Sequence, residues 1–202
     1  MGQTLPVAQV RKANEADVGR LAEALTRAFA DDPVMCWLFP SDQRRRRMLP
    51  RFFSANLRIS LLPHDEVYTT TEVAGGALWN PPGTWRLGPR QVLRLSLPMV
   101  RAIGPRIRIA TRALGVIERH HPKEPHWYLA VLGTEPGMQR RGVGSALLTP
   151  VLDRCDADGL PAYLESSKES NIAFYARHGF EVRGHVDLPS GPRLWPMWRE
   201  PR

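Results

Sequence analysis

Two rhythms of apolar and polar residues alternate along the chain. Over 14–32 apolar residues recur every three or four positions, so that Val18, Leu21, Ala22, Leu25, Ala28 and Phe29 share one helical face; Asn14 stands where a cap is needed and Pro33 ends the segment. A second helical pattern covers 42–62, with Met48, Leu49, Phe52, Phe53 and Leu57 on its apolar side and Pro50 as a point of kinking or division. Strand patterns cover 7–13 and, around a short turn, two stretches between Glu66 and Gly83, closed by Pro81-Pro82-Gly83. Residues 86–119 are helical and basic, interrupted at Pro98 and at Gly104-Pro105. Beyond them the order becomes regular: strand 127–132, helix 142–157, strand 161–166, helix 170–178, strand 180–187 and strand 193–199. This alternation predicts an α/β sheet with parallel neighbours in its second half. The chain has no internal repeat and no low-complexity linker.

Length and composition bound this picture. A chain of 202 residues suits one domain, 1–202, and 43% hydrophobic with 24% charged residues is ordinary for a soluble globular protein. The net charge of +8 asks for an anionic partner without choosing among nucleic acid, membrane and a phosphorylated cofactor. Lys12, Lys123 and Lys168 are the only lysines, so the charge is an arginine bias and is discounted accordingly. Cys36 and Cys155 form neither a disulfide framework nor a metal site and read as small buried hydrophobes. The start of the chain lacks the apolar core of a signal peptide, and Pro6 breaks the myristoylation pattern. No apolar run reaches the roughly 20 residues needed to cross a bilayer. The expectation is a cytoplasmic protein.

One stretch departs from ordinary composition. "QRRGVG", residues 139–144, lies between an apolar strand and a helix. The first N–H groups of a helix lack partners, and its dipole favours anions there. Gly142 and Gly144 let those amides approach an oxygen with no Cβ in the way, and Arg140 and Arg141 add charged donors suited to phosphate. The stretch reads as a pyrophosphate cradle. It is not a P-loop, since no Gly-Lys-Ser/Thr follows, and its glycine spacing is not that of a dinucleotide fingerprint.

The next forty residues add Asn171, then Phe174-Tyr175, then Gly179-Phe180, in "LPAYLESSKESNIAFYARHGFEVRG". Here the chain resembles the GNAT superfamily of acetyl-CoA-dependent N-acetyltransferases, which carry a [Gln/Arg]-x-x-Gly-x-[Gly/Ala] loop after the fourth strand and Asn…Phe-Tyr…Gly-Phe after the fifth. Within that superfamily residues 118–202 look like the puromycin N-acetyltransferase branch, through "HHPKEPHWYLAVLGTEPGMQRRGVGSALLTPVL", "PAYLESS", "FYARHGF" and "VDLPSGPRLWPMWREP". The likeness fades earlier in the chain, and Asp32 stands where that branch has a tyrosine beside its substrate pocket. The resemblance implies a GNAT fold: a splayed mixed sheet of six to seven strands with helices on both faces, its half before about residue 120 serving the acceptor and its half from 121 serving acetyl-CoA.

The resemblance also assigns roles. Leu132 and Thr134 would hold the pantetheine arm along the fourth strand as an added strand would be held, with the Leu132 N–H stabilising the oxyanion. Gln139, Arg140, Arg141, Gly142, Val143, Gly144 and Ser145 would hold the pyrophosphate, and Asn171 would contact the cofactor. Tyr175 is the candidate general acid, a phenol of pKa about 10 set against a leaving thiolate of about 8.5. Glu165, at the end of the fifth strand, is the candidate base, directly or through water; a rim carboxylate without a role is the other reading.

Other residues carry less. His120, His121 and His126 read as loop histidines, because no carboxylate or cysteine at ligand spacing supports a metal. Arg44 to Arg47 read as a solvated helix face rather than a nucleic-acid patch. Trp37, Trp79 and Trp85 fall in the acceptor half, as core or pocket walls; Trp37 and Trp79 are carried as candidate acceptor contacts. Asp31 and Asp32 in "FADDPVMCWLFP" would favour a cationic acceptor, or are helix-end carboxylates.

The sequence thus predicts acetyl transfer from acetyl-CoA to a primary amine, by direct attack in a ternary complex, with no metal, no nucleic acid and no membrane, in a monomer or homodimer. The leading acceptor, by resemblance, is a small molecule related to an aminonucleoside antibiotic. Acetylation of a protein lysine or N-terminus is the alternative within enzymes. A non-catalytic module binding acyl-CoA or nucleic acid is the alternative outside them.

Overall fold

The computed structural model describes residues 9–202. Val7 and Ala8 of the expected first strand lie outside the described residues, as do residues 1–8 of the N-terminal stretch on which the signal-peptide and myristoylation readings rest. The strands are β1 (Val10–Lys12), β2 (Val67–Thr70), β3 (Gly75–Asn80), β4 (Trp127–Thr134), β5 (Ala162–Ser166), β6 (Glu181–Val182), β7 (Val186–Asp187) and β8 (Arg193–Arg199). The helices are α1 (Val18–Ala28), α2 (Pro33–Leu38), α3 (Asp42–Asn56), α4 (Pro89–Ile103), α5 (Ile107–His120), α6 (Val143–Asp158) and α7 (Ile172–Arg177).

The departures from expectation have local causes. Asn14 does cap, accepting from Ala16 N–H while Asp17 takes the Asn14 N–H, but it caps a single 3-10 turn that leads into α1. Pro33 begins α2 instead of ending the helical pattern, because Asp32 accepts from the N–H groups of Val34 and Met35 and proline suits a first helical position. Pro50 and Pro98 sit inside α3 and α4 without dividing them. The carbonyls they leave free belong to Arg46 and Arg94, exposed residues where water can serve. Gly104, with φ +66°, does break the chain between α4 and α5. The strand expected over 180–187 is split in two at Gly184. Arg45 is no solvated side chain: it donates to the carbonyls of Ala30 and Phe39 and ties α3 to the loops around α2.

The sheet has eight strands where six to seven were expected, in the order β1-β2-β3-β4-β5-β8-β6 with β7 also on β8. Only β4 and β5 run parallel. One face is covered by α6 and α7, whose Leu147, Leu148, Val151, Leu152 and Tyr175 pack on Leu129, Leu164 and Met197. The opposite face is covered by α1 and α3 through Leu21, Leu25, Leu49 and Phe53. Here α1 approaches closely: a Cβ on Gly133 would lie 2.8 Å from Leu25 and 2.9 Å from Phe29, so only glycine lets the helix sit this low. That approach brings the end of α1 and the start of α2 over the ends of β4 and β5.

Candidate active site

The cleft arises from a strand pair that fails to stay paired. β4 and β5 match only from Trp127/Ala162 to Leu129/Leu164, and past Leu129 they diverge. On its other side β4 skips a residue: Leu78 pairs with Val131 and Trp79 with Leu129, leaving Ala130 as a bulge. A bulge bends its strand and increases twist, and this one lies at the point of divergence. From Ala130 to Thr134 the edge of β4 that faces β5 therefore has no strand neighbour. The gap is a cavity of about 800 Å³, lined by Leu129–Thr134, Leu164–Lys168 and the starts of α6 and α7.

One end of the cavity is the turn before α6. Gly142 has φ +81° and Arg140 φ +61°, so two left-handed residues fold the loop back on itself. Gln139 donates to the Thr134 carbonyl and holds the loop to the end of β4. The two glycines differ in purpose. A Cβ on Gly142 would meet no atom within 4 Å, so that position needs the backbone angle and an open approach; a Cβ on Gly144 would crowd the Phe174 ring at 3.2 Å. The first intrahelical bond shared with the loop is Ala146 N–H to the Gly142 carbonyl, and the first turn of α6 carries no acidic residue. The N–H groups of Val143, Gly144 and Ser145 are thus available to an anion, with Arg140 and Arg141 beside them. Ser145 Oγ lies 3.0 Å from His178 Nε2, and burial followed by the Arg177 charge holds the His178 imidazole below its usual pKa. A pyrophosphate fits such a cradle.

Deeper in the cavity lie Tyr175 and Glu165. Tyr175 is buried on α7, edge-on to Phe174 and Phe180. Its hydroxyl makes no hydrogen bond with a described residue, and the side chain lines the cavity. Burial, and then the charge of Asp32, hold its proton on far more firmly than in a free phenol. Glu165 points to the other face of β5; its side chain is 8% exposed, and Oε1 has no hydrogen-bond donor. Asn171 stands at the start of α7, on the cavity wall.

A cleft opened by a parallel pair, with an anion cradle at one end and a phenol and a carboxylate at the other, invites comparison with known proteins. Residues 23–180 match the acetyltransferase (GNAT) family. The chain belongs to that family. An uncharacterized N-acetyltransferase of Schizosaccharomyces pombe is 26% identical over 95% of this chain and 83% of its own length. Among solved structures, one described as histone acetyltransferase HPA2 and related acetyltransferase, from Corynebacterium glutamicum, is 26% identical, has a TM-score of 0.74 and covers 97% of both chains. Naa20 of Chaetomium thermophilum in complex with a bisubstrate analogue shares the fold, at 15% identity and a TM-score of 0.54, over 96% of this chain and 86% of that one. This GNAT protein is an N-acetyltransferase, and enzymes of its family use acetyl-CoA.

The acceptor side of the acetyltransferase differs from the sequence reading. Asp32 lines the cavity but is 2% exposed. One carboxylate oxygen caps α2 and the other takes a short hydrogen bond from Ser167 Oγ. Asp31 is spent on Lys168, an ion pair of 2.7 Å that holds its carboxyl below the usual range. Trp37 and Trp79 are corrected, since neither lines the cavity. Trp79 is wholly buried in the core under α6, because its position on β3 faces that helix; Trp37 donates to the Ser190 carbonyl and packs on Gly191. Cys155 is buried, its thiol pushed up to about 12 by desolvation, whereas Cys36 is half-buried.

The histidines are the larger surprise. His120 is an exposed helix-end residue, but His121 and His126 are buried. His121 stacks on Trp85 with ring centroids 3.7 Å apart, and His121 Nε2 lies 3.0 Å from His126 Nε2. His121 Nδ1 lies 3.5 Å from Glu165 Oε1. Nothing in the spacing of 121, 126 and 165 foretells this meeting; the hint in the sequence is the pair Tyr128 and Tyr163, which alternation puts on the same sheet face as Glu165. Among the described residues no cluster of metal-ligating side chains occurs, and no helix is long and apolar enough to cross a membrane.

Proposed function

We propose that this acetyltransferase moves an acetyl group from acetyl-CoA to the primary amine of a small molecule, by direct attack while both substrates are bound. The observation that carries the reading is the continuity of one cleft from the start of α6, along the unpaired edge of β4, to Tyr175 and Glu165. Acetyl-CoA supplies the activated acyl group as a thioester. The N–H groups of Val143 to Ser145, with Gln139, Arg140 and Arg141, would hold the pyrophosphate, and Asn171 lies along the same wall. Leu132 and Thr134 offer main-chain groups to the amide-bearing arm, as an added strand is held. The Leu132 N–H would stabilise the oxyanion.

Tyr175 donates a hydrogen bond to the departing sulfur. Burial and Asp32 keep its proton in place until thiolate charge develops, which suits a group that must be protonated when the substrates arrive. Glu165 takes the proton of the amine. At the cleft mouth the contacts of Asp31 with Lys168 and of Asp32 with Ser167 join the start of α2 to the loop after β5. The resemblance of residues 118–202 to the puromycin branch supports an aminonucleoside-like amine.

Free thiol release from acetyl-CoA tests this, measured across puromycin, simple primary amines, lysine peptides and peptides with free N-termini. Turnover with puromycin or a simple amine is expected. Turnover confined to peptides would redirect the reading to protein acetylation. Tight acetyl-CoA binding with no turnover on any amine would leave a binding module.

A further inference from the structure

The buried histidines answer a question that Glu165 raises, namely how one carboxylate with an orphaned oxygen can serve as a base. Hydrogen-bond accounting fixes the ring protons. His126 Nδ1 lies 2.6 Å from the Glu124 carbonyl, which can only accept, so Nδ1 carries a hydrogen. Burial, followed by repulsion from His121, holds the His126 imidazole below its usual pKa, so it is neutral and its Nε2 is a bare acceptor. His121 Nε2, 3.0 Å away, must then donate to it. That leaves His121 Nδ1 facing Glu165 Oε1 at 3.5 Å. Without a proton between them, two acceptors confront each other in a buried place.

We propose that Glu165 and His121 act as a single base, taking up one proton between Oε1 and Nδ1, with His126 as the positioning residue that fixes the His121 ring. The inference rests on the transferase reading above. In the step itself an ammonium N–H bond of the acceptor breaks, its electron pair stays on nitrogen, and the proton is bound by a Glu165 oxygen and shared with His121 Nδ1. The pair gains by this, because uptake replaces the acceptor–acceptor contact with an ion pair or a neutral hydrogen bond. A lone rim carboxylate would gain nothing comparable.

The surroundings are built for such a pair. Trp85 stacks on His121, and Tyr128 and Tyr163 stand edge-on to it with centroids 4.8 and 4.9 Å away. Arg86 lies 4.8 Å over the Trp85 ring. His126 is flanked by Tyr163 and Trp198. Both tyrosines are held protonated, by burial first and by the Glu165 charge second, so neither competes as an anion. The titratable and charged groups around the pair are thus His126, Glu124, Tyr128, Tyr163 and Arg86. The tyrosines, His126 and the Glu165 carboxylate come from two segments of chain, 126–128 and 163–165, and converge on one ring.

Protein labelled with ¹⁵N-histidine tests the pair without any acceptor. His126 should show the neutral Nδ1–H tautomer at neutral pH. His121 should pass from the neutral Nε2–H form, with Nδ1 bare, to a ring with both nitrogens protonated as the pair takes up its one proton on lowering the pH. In Glu165→Gln, whose amide can donate to Nδ1, His121 should stay in the neutral Nε2–H form over the same pH range. A His121 titration in that variant like that of the unaltered protein, or a neutral Nδ1–H tautomer of His121 in the unaltered protein, would overturn the proposal. Kinetics supply the second arm. With the best amine from the thiol-release panel, His121→Asn should lower kcat by ~10-fold or more and leave the acetyl-CoA KM within about twofold. The deficit should shrink as pH rises and the amine sheds its own proton. A deficit equal at every pH would mean the ring is only structural. Should His121→Asn melt below the assay temperature, the Glu165→Gln spectrum decides alone. A failure of every amine to turn over would overturn the transferase reading while leaving the tautomer result standing.

Discussion

Ser167 Oγ donates to the buried carboxylate of Asp32, joining the start of α2 to the loop that follows β5 across the cleft. Asp32 thus does three things at once. It caps a helix, closes a contact over the cleft, and puts a negative charge where Tyr175 feels it. These roles separate under substitution. Asp32→Asn keeps an oxygen for the cap and removes the charge, so the melting temperature should hold while KM for a cationic amine rises and the acetyl-CoA KM stays put. Asp32→Ala loses the cap as well and should cost about 1 kcal/mol in denaturant titration. If the asparagine variant leaves both Michaelis constants unmoved, Asp32 is a structural cap and nothing more.

Tyr175→Phe removes a hydroxyl that has no hydrogen bond to a described residue. Calorimetric titration should therefore find acetyl-CoA affinity and thermal stability little changed. Turnover should fall by ~10²-fold, the ordinary scale for a positioned proton donor. A variant as fast as the parent would hand the sulfur's proton to water.

In the cradle, Arg140 and Gly142 both occupy left-handed backbone, and Arg140 does so against the preference of an L-residue. Arg140→Gly should accordingly stabilise the fold by up to about 1 kcal/mol. It should also weaken acetyl-CoA binding through the lost charge, so stability and affinity move in opposite directions. Gly142→Glu should abolish binding, since carboxylate and side chain enter the anion site together. Normal affinity in a folded Gly142→Glu protein would place the pyrophosphate elsewhere.

Stability should follow pH through two windows. His126 and His178 have folded pKa values lowered below 6.5. Protonation therefore favours the unfolded chain, and their contribution is complete above about 6.5 and is lost as pH falls below it towards the folded values. Asp17, Asp31 and Asp156 are lowered below 3.8 by hydrogen bonds from Arg11, Lys168 and Arg199, so theirs is lost only as pH falls through still more acid values. Thermal melts from pH 8 to 3 should show both declines, and His178→Gln should soften the first. A flat profile between pH 7 and 5 would mean that these rings pick up protons freely when folded.

What the sequence disclosed follows from how far apart the interacting parts lie. The tight turn at 139–144 that opens α6 was legible because two glycines and two arginines at a helix start need a reason within six residues. The strand 193–199 was legible in full, bounded by Pro192 and by Glu200-Pro201. α2 was hidden because Pro33 reads equally as a stop and as a start, and the choice depends on where the Asp32 side chain points. The bulge at Ala130 exists only relative to the β3 partner, so no pattern along β4 alone announces it. Glu165, His121 and His126 meet because β4 and β5 run parallel and in register at their beginnings, a fact of pairing. Trp79 reads as core or pocket wall because it falls in the acceptor half, and only its register on β3 decides for the core.

The unzipping of β4 from β5 past Leu129 also works as a ruler. Main-chain donors and acceptors that face one edge of a strand recur at every second residue, about 6.6 Å apart. A ligand whose phosphates are seated at Gly142 and whose amides must match that edge has one depth at which everything fits. The reacting carbon would then be delivered towards Tyr175 and Glu165 by counting along the backbone. Donors with a lengthened or shortened arm should bind at the phosphate end yet present their acyl group out of step.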